Sequence, residues 1–264
     1  MRVGFYQFSP IRREPELNRV RMLAALGAAP ADLVVLPEMC TTGYLFSSRE
    51  ELAHYAEPVP GGPTCEVVAN LCRERGMSVV FGLAERAGDK LYNSAVLCTP
   101  KGDAHTYRKA HLFYNEPDIF AAGDLPFPVF TAAGVRIGLL VCFDHFFPEA
   151  ARALALKGAQ IICHPANLVL EYAHATTVCR CIENRVFWIL ADRTGREQEG
   201  NKELRFIGAS QIVAPGGRVI YRAAADTEEL SVVEIDPAQA LDKMVTPRND
   251  LLAGRRTDLY RGTC

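Results

Sequence analysis

GLLVCFDHFFPE, residues 138–149, is the stretch that decides how this chain folds. The apolar run Val135–Val141 predicts a buried strand. Pro148 predicts the start of a helix that continues to Lys157, because the first helical N–H needs no partner. Cys142 then lies where the strand ends, and in open α/β sheets ligands bind beyond the carboxyl ends of strands. Cys142 is therefore a candidate nucleophile, although most free cysteines are only small buried hydrophobic residues.

The composition is that of a globular protein with a large core. The chain has 264 residues, 49% of them hydrophobic, and no linker or low-complexity tract divides it, so we predict one domain over residues 1–264. The formal net charge is −2 without a basic block, which gives no case for binding nucleic acid or an anionic membrane. No apolar run reaches the length of a membrane span, and the N-terminus alternates like a strand rather than forming a signal-peptide core.

The cysteine pattern predicts free thiols. Nine cysteines occur without any Cys-x-x-Cys pair, and the six histidines never join them in the spacing of a metal site. We expect a reduced, cytoplasmic protein with mostly inert thiols, because structural disulfides form in oxidising compartments. Neither a metal nor another cofactor is predicted.

Strand and helix patterns alternate in two similar halves of the chain. In the first half the predicted elements are strands Arg2–Phe8, Asp32–Leu36 and Ser78–Arg86, helices Pro15–Ala28 and Thr64–Arg75, and a hairpin of Lys90–Cys98 with Asp103–Lys109. In the second half they are strands Val135–Val141, Gln160–Cys163, Val186–Ala191 and Leu230–Ile235, helices Pro148–Lys157 and His174–Arg185, and a hairpin of Phe206–Ala214 with Arg218–Arg222. The apolar stripe of the first helix comprises Leu17, Val20, Leu23, Ala24 and Leu26. Two such halves predict an α/β fold, a four-layer α-β-β-α sandwich with two mixed sheets packed face to face and helices outside.

Three polar residues stand at the ends of predicted strands, namely Glu38, Lys109 and Cys142. A thiol that attacks a carbonyl carbon needs a base to take its proton and positive charge where the oxyanion forms. Glutamate and lysine supply both without a histidine. Read singly, Glu38 is an ordinary cap and Lys109 an ordinary loop residue. A hydrolase built on Cys163 and His164 is a less favoured alternative.

The segments around these residues resemble the carbon–nitrogen hydrolase (nitrilase) superfamily, whose signature is a Glu-Lys-Cys triad. The three matching motifs are LPE at 36–38, YRKAHLF at 107–113 and CFDHFFPEAAR at 142–152. Further matches are Glu116 with its following loop, PAN at 165–167, RCIENR at 180–185, FIGASQI at 206–212 and RNDLL at 248–252. Together they extend over nearly the whole chain, in the family's order.

The resemblance implies roles for five residues. Cys142 would attack the substrate carbon, and Glu38 would serve as general base. Lys109 and the backbone N–H of Phe143 would hold the oxyanion, and Glu116 would position the lysine or the substrate. The turn after Cys142, with Asp144 and His145, would shape the mouth of the site.

The substrate implied by the resemblance is a small amide, nitrile or carbamoyl compound. An aromatic residue followed by aspartate, here Phe143-Asp144, is more frequent in the amidase and carbamoylase branches than in true nitrilases, which favours a small amide over a nitrile or an N-carbamoyl amide. A binding protein that retains the fold without catalysis is the alternative from another class. The predicted pocket-lining residues, mostly apolar or aromatic, are Tyr44, Phe113, Tyr114, His145, Phe146, Asn167 and Leu168. Two departures from the family pattern concern pocket shape: Leu168 replaces a frequent tryptophan, and Asp192 replaces an asparagine.

The resemblance also implies a homodimer or higher homo-oligomer. The contact would form through the helices Pro148–Lys157 and His174–Arg185. The alanine-rich face of the first helix would allow close approach, although alanine is also simply a good helix former. That face comprises Ala150, Ala151, Ala153 and Ala155.

Overall fold

The computed structural model describes residues 1–260; residues 261–264, at the end of the predicted domain, lie outside the described residues. Its strands are β1 (Arg2–Gln7), β2 (Leu33–Val35), β3 (Ser78–Ala87), β4 (Lys90–Cys98), β5 (Ala104–Arg108), β6 (Val129–Ala132), β7 (Val135–Leu139), β8 (Ile161–Ala166), β9 (Phe187–Asp192), β10 (Arg196–Glu199), β11 (Lys202–Arg205), β12 (Gln211–Val213), β13 (Val219–Arg222), β14 (Glu229–Glu234), β15 (Met244–Thr246) and β16 (Asn249–Asp250). Its helices are α1 (Pro15–Ala28), α2 (Arg49–Ala53), α3 (Pro63–Arg75), α4 (Pro148–Leu156) and α5 (Ala173–Asn184). Short 3₁₀ turns cover Glu116–Asp118, Cys142–Phe146, Pro237–Leu241 and Thr257–Leu259.

Two six-stranded sheets with the same topology carry the fold. The first has the strand order β14-β1-β2-β3-β4-β5, and the second has the order β13-β12-β9-β8-β7-β6. In each sheet three neighbouring strands run parallel, β1 to β3 and β7 to β9, and antiparallel strands flank them. The carboxyl ends of parallel strands meet at one edge of a sheet, which is where ligands of α/β sheets bind.

The two sheets pack against each other, and the helices cover their outer faces. Phe5 and Val35 of the first sheet belong to the same core cluster as Ile137 and Ile189 of the second. A separate cluster joins the first sheet to α1 and α3, and α5 packs on β9 and β12. The predicted four-layer α-β-β-α sandwich is thus confirmed.

Helix α1 buries Leu26 of the predicted apolar stripe but otherwise turns a different face inward. Leu17 and Val20 are 52% and 65% exposed, whereas Asn18 is fully buried. The Asn18 amide donates to the carbonyl oxygens of Ile11 and Thr41, at 2.7 and 2.8 Å, and accepts from the Ile11 N–H. Because buried backbone groups need partners, a polar side chain takes the inward position here.

Some strands differ from the prediction. The segment predicted as a strand over Phe206–Ala214 is extended only at β12, and five strands were not predicted, namely β6, β10, β11, β15 and β16. The hairpin of β10 and β11 pairs Arg196 with Arg205 and Glu199 with Lys202. Such polar strands lack the alternation of apolar residues by which a half-buried strand is recognised.

The remaining global features concern helices and thiols. Within residues 1–260, every helix is too short or too polar to cross a membrane. The eight cysteines of these residues are all free, and seven of them are buried.

Gly82 in β3 packs closely against the backbone of the turn that carries Glu38, so a side chain at this position should destabilise the protein. A Cβ atom at position 82 would lie 2.5 Å from the Cα of Glu38 and 2.9 Å from the N of Met39. We expect Gly82→Ala to lower the free energy of unfolding by about 1–3 kcal/mol, as overpacking does elsewhere. Urea denaturation measures the change.

Gly27 provides the matched control for this substitution. It lies in α1, and a Cβ there meets nothing within 4 Å. Gly27→Ala should raise the free energy of unfolding by up to about 1 kcal/mol through helix propensity. Equal stabilities of the two variants would contradict the proposed contact of Gly82.

Candidate active site

The fold brings the three predicted chemical groups into one buried place. Glu38 follows β2, Lys109 follows β5, and Cys142 begins the 3₁₀ turn after β7. Their exposed fractions are 0%, 1% and 5%. Each lies one to three residues beyond the end of its strand, because the chain must turn there and leaves these side chains at the edge of the sheets.

Lys109 is the centre of the hydrogen-bond network. Its Nζ donates to Oε1 of Glu38 at 2.9 Å and to Oε1 of Glu116 at 2.7 Å. The Asn93 amide also donates to Oε1 of Glu38, at 2.6 Å. Oε2 of Glu38 is buried and has no hydrogen-bond partner among residues 1–260. One carboxylate oxygen of Glu38 is therefore held in place, and the other is free to accept a proton.

Glu116 fixes this network to the surrounding loop. Its Oε1 accepts from the Tyr44 hydroxyl at 2.8 Å, and its Oε2 accepts from the backbone N–H of Phe113 at 2.7 Å. Tyr44 therefore contacts Glu116 and lies behind the site. Asn93, which bonds Glu38, was missed from the sequence, although a polar pair at 93–94 inside the apolar strand β4 is a usable signal.

The electrostatics of the site follow from burial and charge. Burial alone lowers the pKa of Lys109, but the anionic groups around it outweigh burial and raise that pKa well above its usual range. Burial raises the pKa of Glu38, even though Lys109 acts in the opposite direction. Burial and the charge of Glu38 also raise the pKa of the Cys142 thiol well above its usual range. At rest the site therefore contains an ammonium and a neutral thiol that needs a base.

Asp144 ties the cysteine turn to the lysine loop. Its carboxylate accepts from the Tyr107 hydroxyl at 2.8 Å and from the backbone N–H of Val141 and of His111, at 3.0 and 3.1 Å. Because Asp144 is fully buried by these contacts, it braces the turn from inside. It does not line the cavity over Cys142, so its part in shaping the mouth, which stays a prediction, would be exerted through the turn.

A small cavity of about 20 Å³ lies over Cys142. It is lined by Phe113, Cys142, Phe143, His145, Asn167, Leu168, Val169 and Leu170. Val169 and Leu170 were missed, because nothing distinguishes them from core residues in the sequence. Of the predicted lining residues, Tyr44, Tyr114 and Phe146 are not among those that line it. Tyr44 is buried and bonds Glu116 instead, whereas Tyr114 and Phe146 are 81% and 44% exposed. Tyr114 has a φ of +50° in a tight turn, which places its side chain outside, and Phe146 stacks on Phe143 instead.

Asn167 presents unsatisfied polar atoms to this cavity. Only 3% of the residue is exposed, and neither Nδ2 nor Oδ1 has a hydrogen-bond partner within residues 1–260. Its backbone N–H lies close enough to the Cys142 sulfur to favour the thiolate. A buried amide without partners is costly, so a ligand that bonds it gains affinity.

His145 faces the same cavity as a neutral ring. Its Nδ1 lies 2.5 Å from Oγ1 of Thr176, which itself donates to the carbonyl oxygen of Ala173 at 2.7 Å. Nδ1 therefore carries the hydrogen. Burial, with the nearby charge of Arg180, lowers the pKa of His145 to about 4.

The alternative pair Cys163 and His164 does not form a nucleophile and base. The His164 ring bonds the backbone oxygen of Cys142 and the Trp188 indole, so both of its nitrogens are occupied. Burial alone raises the pKa of the Cys163 thiol, so that it stays protonated. Cys163 is a fully buried core residue.

Asp192 supports the loop that carries Leu168. Its Oδ1 accepts from the backbone N–H of Leu168 and of Arg193, at 2.8 and 3.0 Å. Burial raises the pKa of Asp192 well above its usual range. A protonated carboxyl, like an asparagine amide, offers both an acceptor and a donor.

Comparison with known proteins identifies the family. The family model described as carbon-nitrogen hydrolase matches residues 2–241. The chain belongs to the carbon-nitrogen hydrolase family. This hydrolase is 42% identical over 263 residues to a nitrilase of Pyrococcus abyssi, with 98% of the chain and 99% of the relative covered. It is 35% identical to an (R)-stereoselective amidase of a Pseudomonas species, covering 98% and 95%.

Solved structures of the nitrilase superfamily show the same fold. An amidase mutant from Nesterenkonia sp. AN1 superposes with a TM-score of 0.82 at 25% identity, covering 100% of both chains. That structure shows Michael addition of acrylamide at its active site cysteine. The carbon-nitrogen hydrolase described here is thus an enzyme of the same superfamily, as its sequence motifs predicted.

Proposed function

We propose that this carbon-nitrogen hydrolase converts small aliphatic amides to a carboxylic acid and ammonia through a thioester on Cys142. The observation that carries the proposal is the arrangement around Lys109, a buried ammonium bonded to two carboxylates beside a buried thiol. Nucleophile, base and cation are the three groups that acyl transfer requires. The relatives named amidase support the same reaction class.

In the first half-reaction, the thiol of Cys142 adds to the amide carbonyl carbon. Glu38 takes the thiol proton, and its unpartnered Oε2 is the oxygen available for this step. The carbonyl electrons move to oxygen, which the Phe143 N–H and the third hydrogen of the Lys109 ammonium stabilise. When the C–N bond breaks, the proton passes from Glu38 to nitrogen, ammonia leaves and the thioester remains.

In the second half-reaction, water replaces sulfur. Glu38, again ionised, takes a proton from the water molecule while the water oxygen adds to the thioester carbon. The tetrahedral intermediate occupies the same oxyanion site. The C–S bond then breaks, the proton returns to the sulfur of Cys142, and the carboxylic acid leaves. Splitting hydrolysis into two steps lowers each barrier relative to direct attack by water.

The cavity favours a short, uncharged acyl group. Its volume of about 20 Å³ exceeds the space of one water, and most of the residues lining it are apolar. The free donor and acceptor of Asn167 match an amide, which has one of each. Small nitriles, which would form a thioimidate on sulfur, and N-carbamoyl amides are the alternatives within the same chemistry, and a relative named nitrilase favours the first of these.

A substrate panel with ammonia readout tests the proposal. Acetamide, propionamide and isobutyramide are compared with the nitriles of the same carbon skeletons and with an N-carbamoyl amine. We expect the amides to release ammonia fastest. Absence of ammonia from every amide would refute the proposed activity. A non-catalytic binding protein is recognised separately, because mass spectrometry would then find no acyl adduct on Cys142 with any substrate or electrophilic amide.

The pH dependence of kcat/KM should report the raised pKa of Glu38. As a base, Glu38 must be ionised, so activity is lost when the pH falls through its pKa, and the acid limb should lie above the range of an ordinary glutamate. The charge of Glu116 contributes to the raised value. Glu116→Gln should therefore move the acid limb to lower pH. Asp118→Asn, an exposed neighbour on the same turn, is the control and should leave the limb in place; a limb that Glu116→Gln does not move contradicts this reading.

We also propose that the enzyme is cytoplasmic and forms a homodimer through α4 and α5. The eight free thiols fit a reducing compartment. Exposed apolar residues on the two helices, Leu156 and Ile182, support the contact and are 45% and 51% exposed. The alanine face does not supply it, because Ala150, Ala151 and Ala155 are buried within the chain. Sedimentation of the purified enzyme should show at least a dimer, and a monomer would contradict this assignment.

A further inference from the structure

The backbone at Cys142 has a conformation that its surroundings must maintain. Its φ is +43°, in the left-handed region that residues other than glycine rarely adopt. Such a conformation is strained and persists only where neighbouring groups impose it. The groups that impose it here determine how sulfur and the following peptide are presented to the substrate.

His164 holds the carbonyl group of this strained residue. Nε2 of His164 donates to the backbone oxygen of Cys142 at 2.8 Å. The Trp188 indole Nε1 lies 3.2 Å from Nδ1 of His164. An indole nitrogen is only a donor, so Nδ1 must be the acceptor and Nε2 must carry the hydrogen. Trp188 therefore sets the tautomer that His164 needs in order to donate to Cys142.

The chain of hydrogen bonds spans the three parallel strands of the second sheet. Cys142 follows β7, His164 is in β8 and Trp188 is in β9. His164 and Trp188 are both fully buried. Burial lowers the pKa of His164 well below its usual range, so the ring is neutral and keeps this single tautomer. Without His164, the carbonyl oxygen of Cys142 would lose this side-chain donor in a buried setting.

The carbonyl that His164 holds belongs to the same peptide group as the N–H of Phe143. A trans peptide is planar, and its C=O and N–H point in opposite directions. A donor that fixes the carbonyl from behind therefore fixes the direction of the N–H in front. A hydrogen bond to the carbonyl also polarises the peptide and strengthens its N–H as a donor.

We propose that His164, with its tautomer set by Trp188, is a positioning residue that aims the Phe143 N–H at the oxyanion. This role rests on the proposed amide hydrolysis and extends it to two residues beyond the Glu-Lys-Cys set. The role concerns the transition state, because the hydrogen bond from the Phe143 N–H is strengthened most when negative charge develops on the substrate oxygen. His164 itself does not touch the substrate.

The test separates oxyanion stabilisation from the reactivity of the thiol. His164→Phe retains a ring but has no donor, and His164→Gln places an amide N–H near the position of Nε2. Two rates are measured: kcat for the best amide of the panel, and the rate of Cys142 modification by methyl methanethiosulfonate, a thiol reagent without a carbonyl group. We expect His164→Phe to lower kcat by about 10- to 100-fold, less than the loss of a whole oxyanion donor, with KM little changed. His164→Gln should recover most of this loss in kcat. In both variants the rate of thiol modification should change by less than about threefold, well below a tenfold change, which corresponds to about 1.4 kcal/mol.

Each other outcome has a defined meaning. Equal losses in kcat and in thiol modification would show that His164 merely supports the fold around Cys142, which would overturn the proposal. An unchanged kcat in His164→Phe would also overturn it. If that variant does not fold, Trp188→Phe keeps His164 but releases its tautomer, and kcat should again fall more than thiol modification. A wild-type enzyme without turnover of any amide would refute the proposed function itself, before the variants are compared.

Discussion

Replacing Cys142 with alanine is expected to lower kcat for amide hydrolysis by about 10⁴- to 10⁶-fold, the range seen when a covalent nucleophile is removed. The reason is structural: the sulfur lies over the cavity, and Glu38, whose charge acts on the thiol, keeps one carboxylate oxygen without a partner among residues 1–260. Among these residues, no other thiol lines that cavity. Ammonia release under saturating amide measures the change. The stability of the variant should stay close to wild type, because alanine removes only one buried atom.

Cys163→Ala is the matched control for this experiment. Cys163 is also buried, on the neighbouring strand β8, but it does not line the cavity. We expect that variant to retain amide hydrolysis and the acyl adduct found by mass spectrometry. If activity survives in Cys142→Ala, or disappears in Cys163→Ala alone, the assignment of Cys142 as the nucleophile is wrong.

Glu38→Gln is the second substitution with a large expected effect. The amide oxygen of glutamine still accepts from Lys109 and Asn93, since both bonds end on Oε1 of Glu38. What disappears is the basic Oε2, which has no partner in the resting site. A thiol whose pKa is raised by burial then has no group to take its proton. We expect kcat/KM to fall by about 10²- to 10⁴-fold, the usual contribution of a general base.

Glu57→Gln separates this effect from the loss of any buried carboxylate. Glu57 is 7% exposed and accepts from the backbone N–H and the hydroxyl of Thr64, away from the cavity. Its replacement should leave kcat/KM near wild type while lowering the free energy of unfolding. A loss of activity in Glu57→Gln as large as that in Glu38→Gln would indicate a general effect on folding. Near-normal kcat/KM in Glu38→Gln would mean that another group is the base.

The fold was predictable because burial leaves a clear pattern in the sequence. Strand β2 is a continuous apolar run, as expected for a parallel strand covered on both faces, and β1 alternates as a strand does. The hairpin of β10 and β11 has no such pattern, and the orientation of α1 depends on which loop carbonyls Asn18 must satisfy. Both outcomes depend on contacts between segments far apart in the chain.

The site was predictable only in part, for the same reason. Motif resemblance named Glu38, Lys109 and Cys142, and the structure places them around one buried network; their catalytic roles stay predictions. Asn93 lies in the predicted strand Lys90–Cys98, but its contact with Glu38 spans 55 positions of sequence. Tyr114 does not line the cavity, although its ring centroid lies 6.5 Å from that of Phe113, which does.

The sequence by itself determined the fold class and the family, because apolar periodicity and ordered short motifs are local properties of the chain. Only the tertiary structure decided which oxygen of Glu38 is free, that Asp144 braces the turn from inside, and that His164 bonds the backbone of Cys142. Hydrogen bonds at 2.5–3.2 Å depend on which atoms face one another after packing. In the stretch 138–149, the sequence therefore located the nucleophile, and the neighbouring strands determined how it is held.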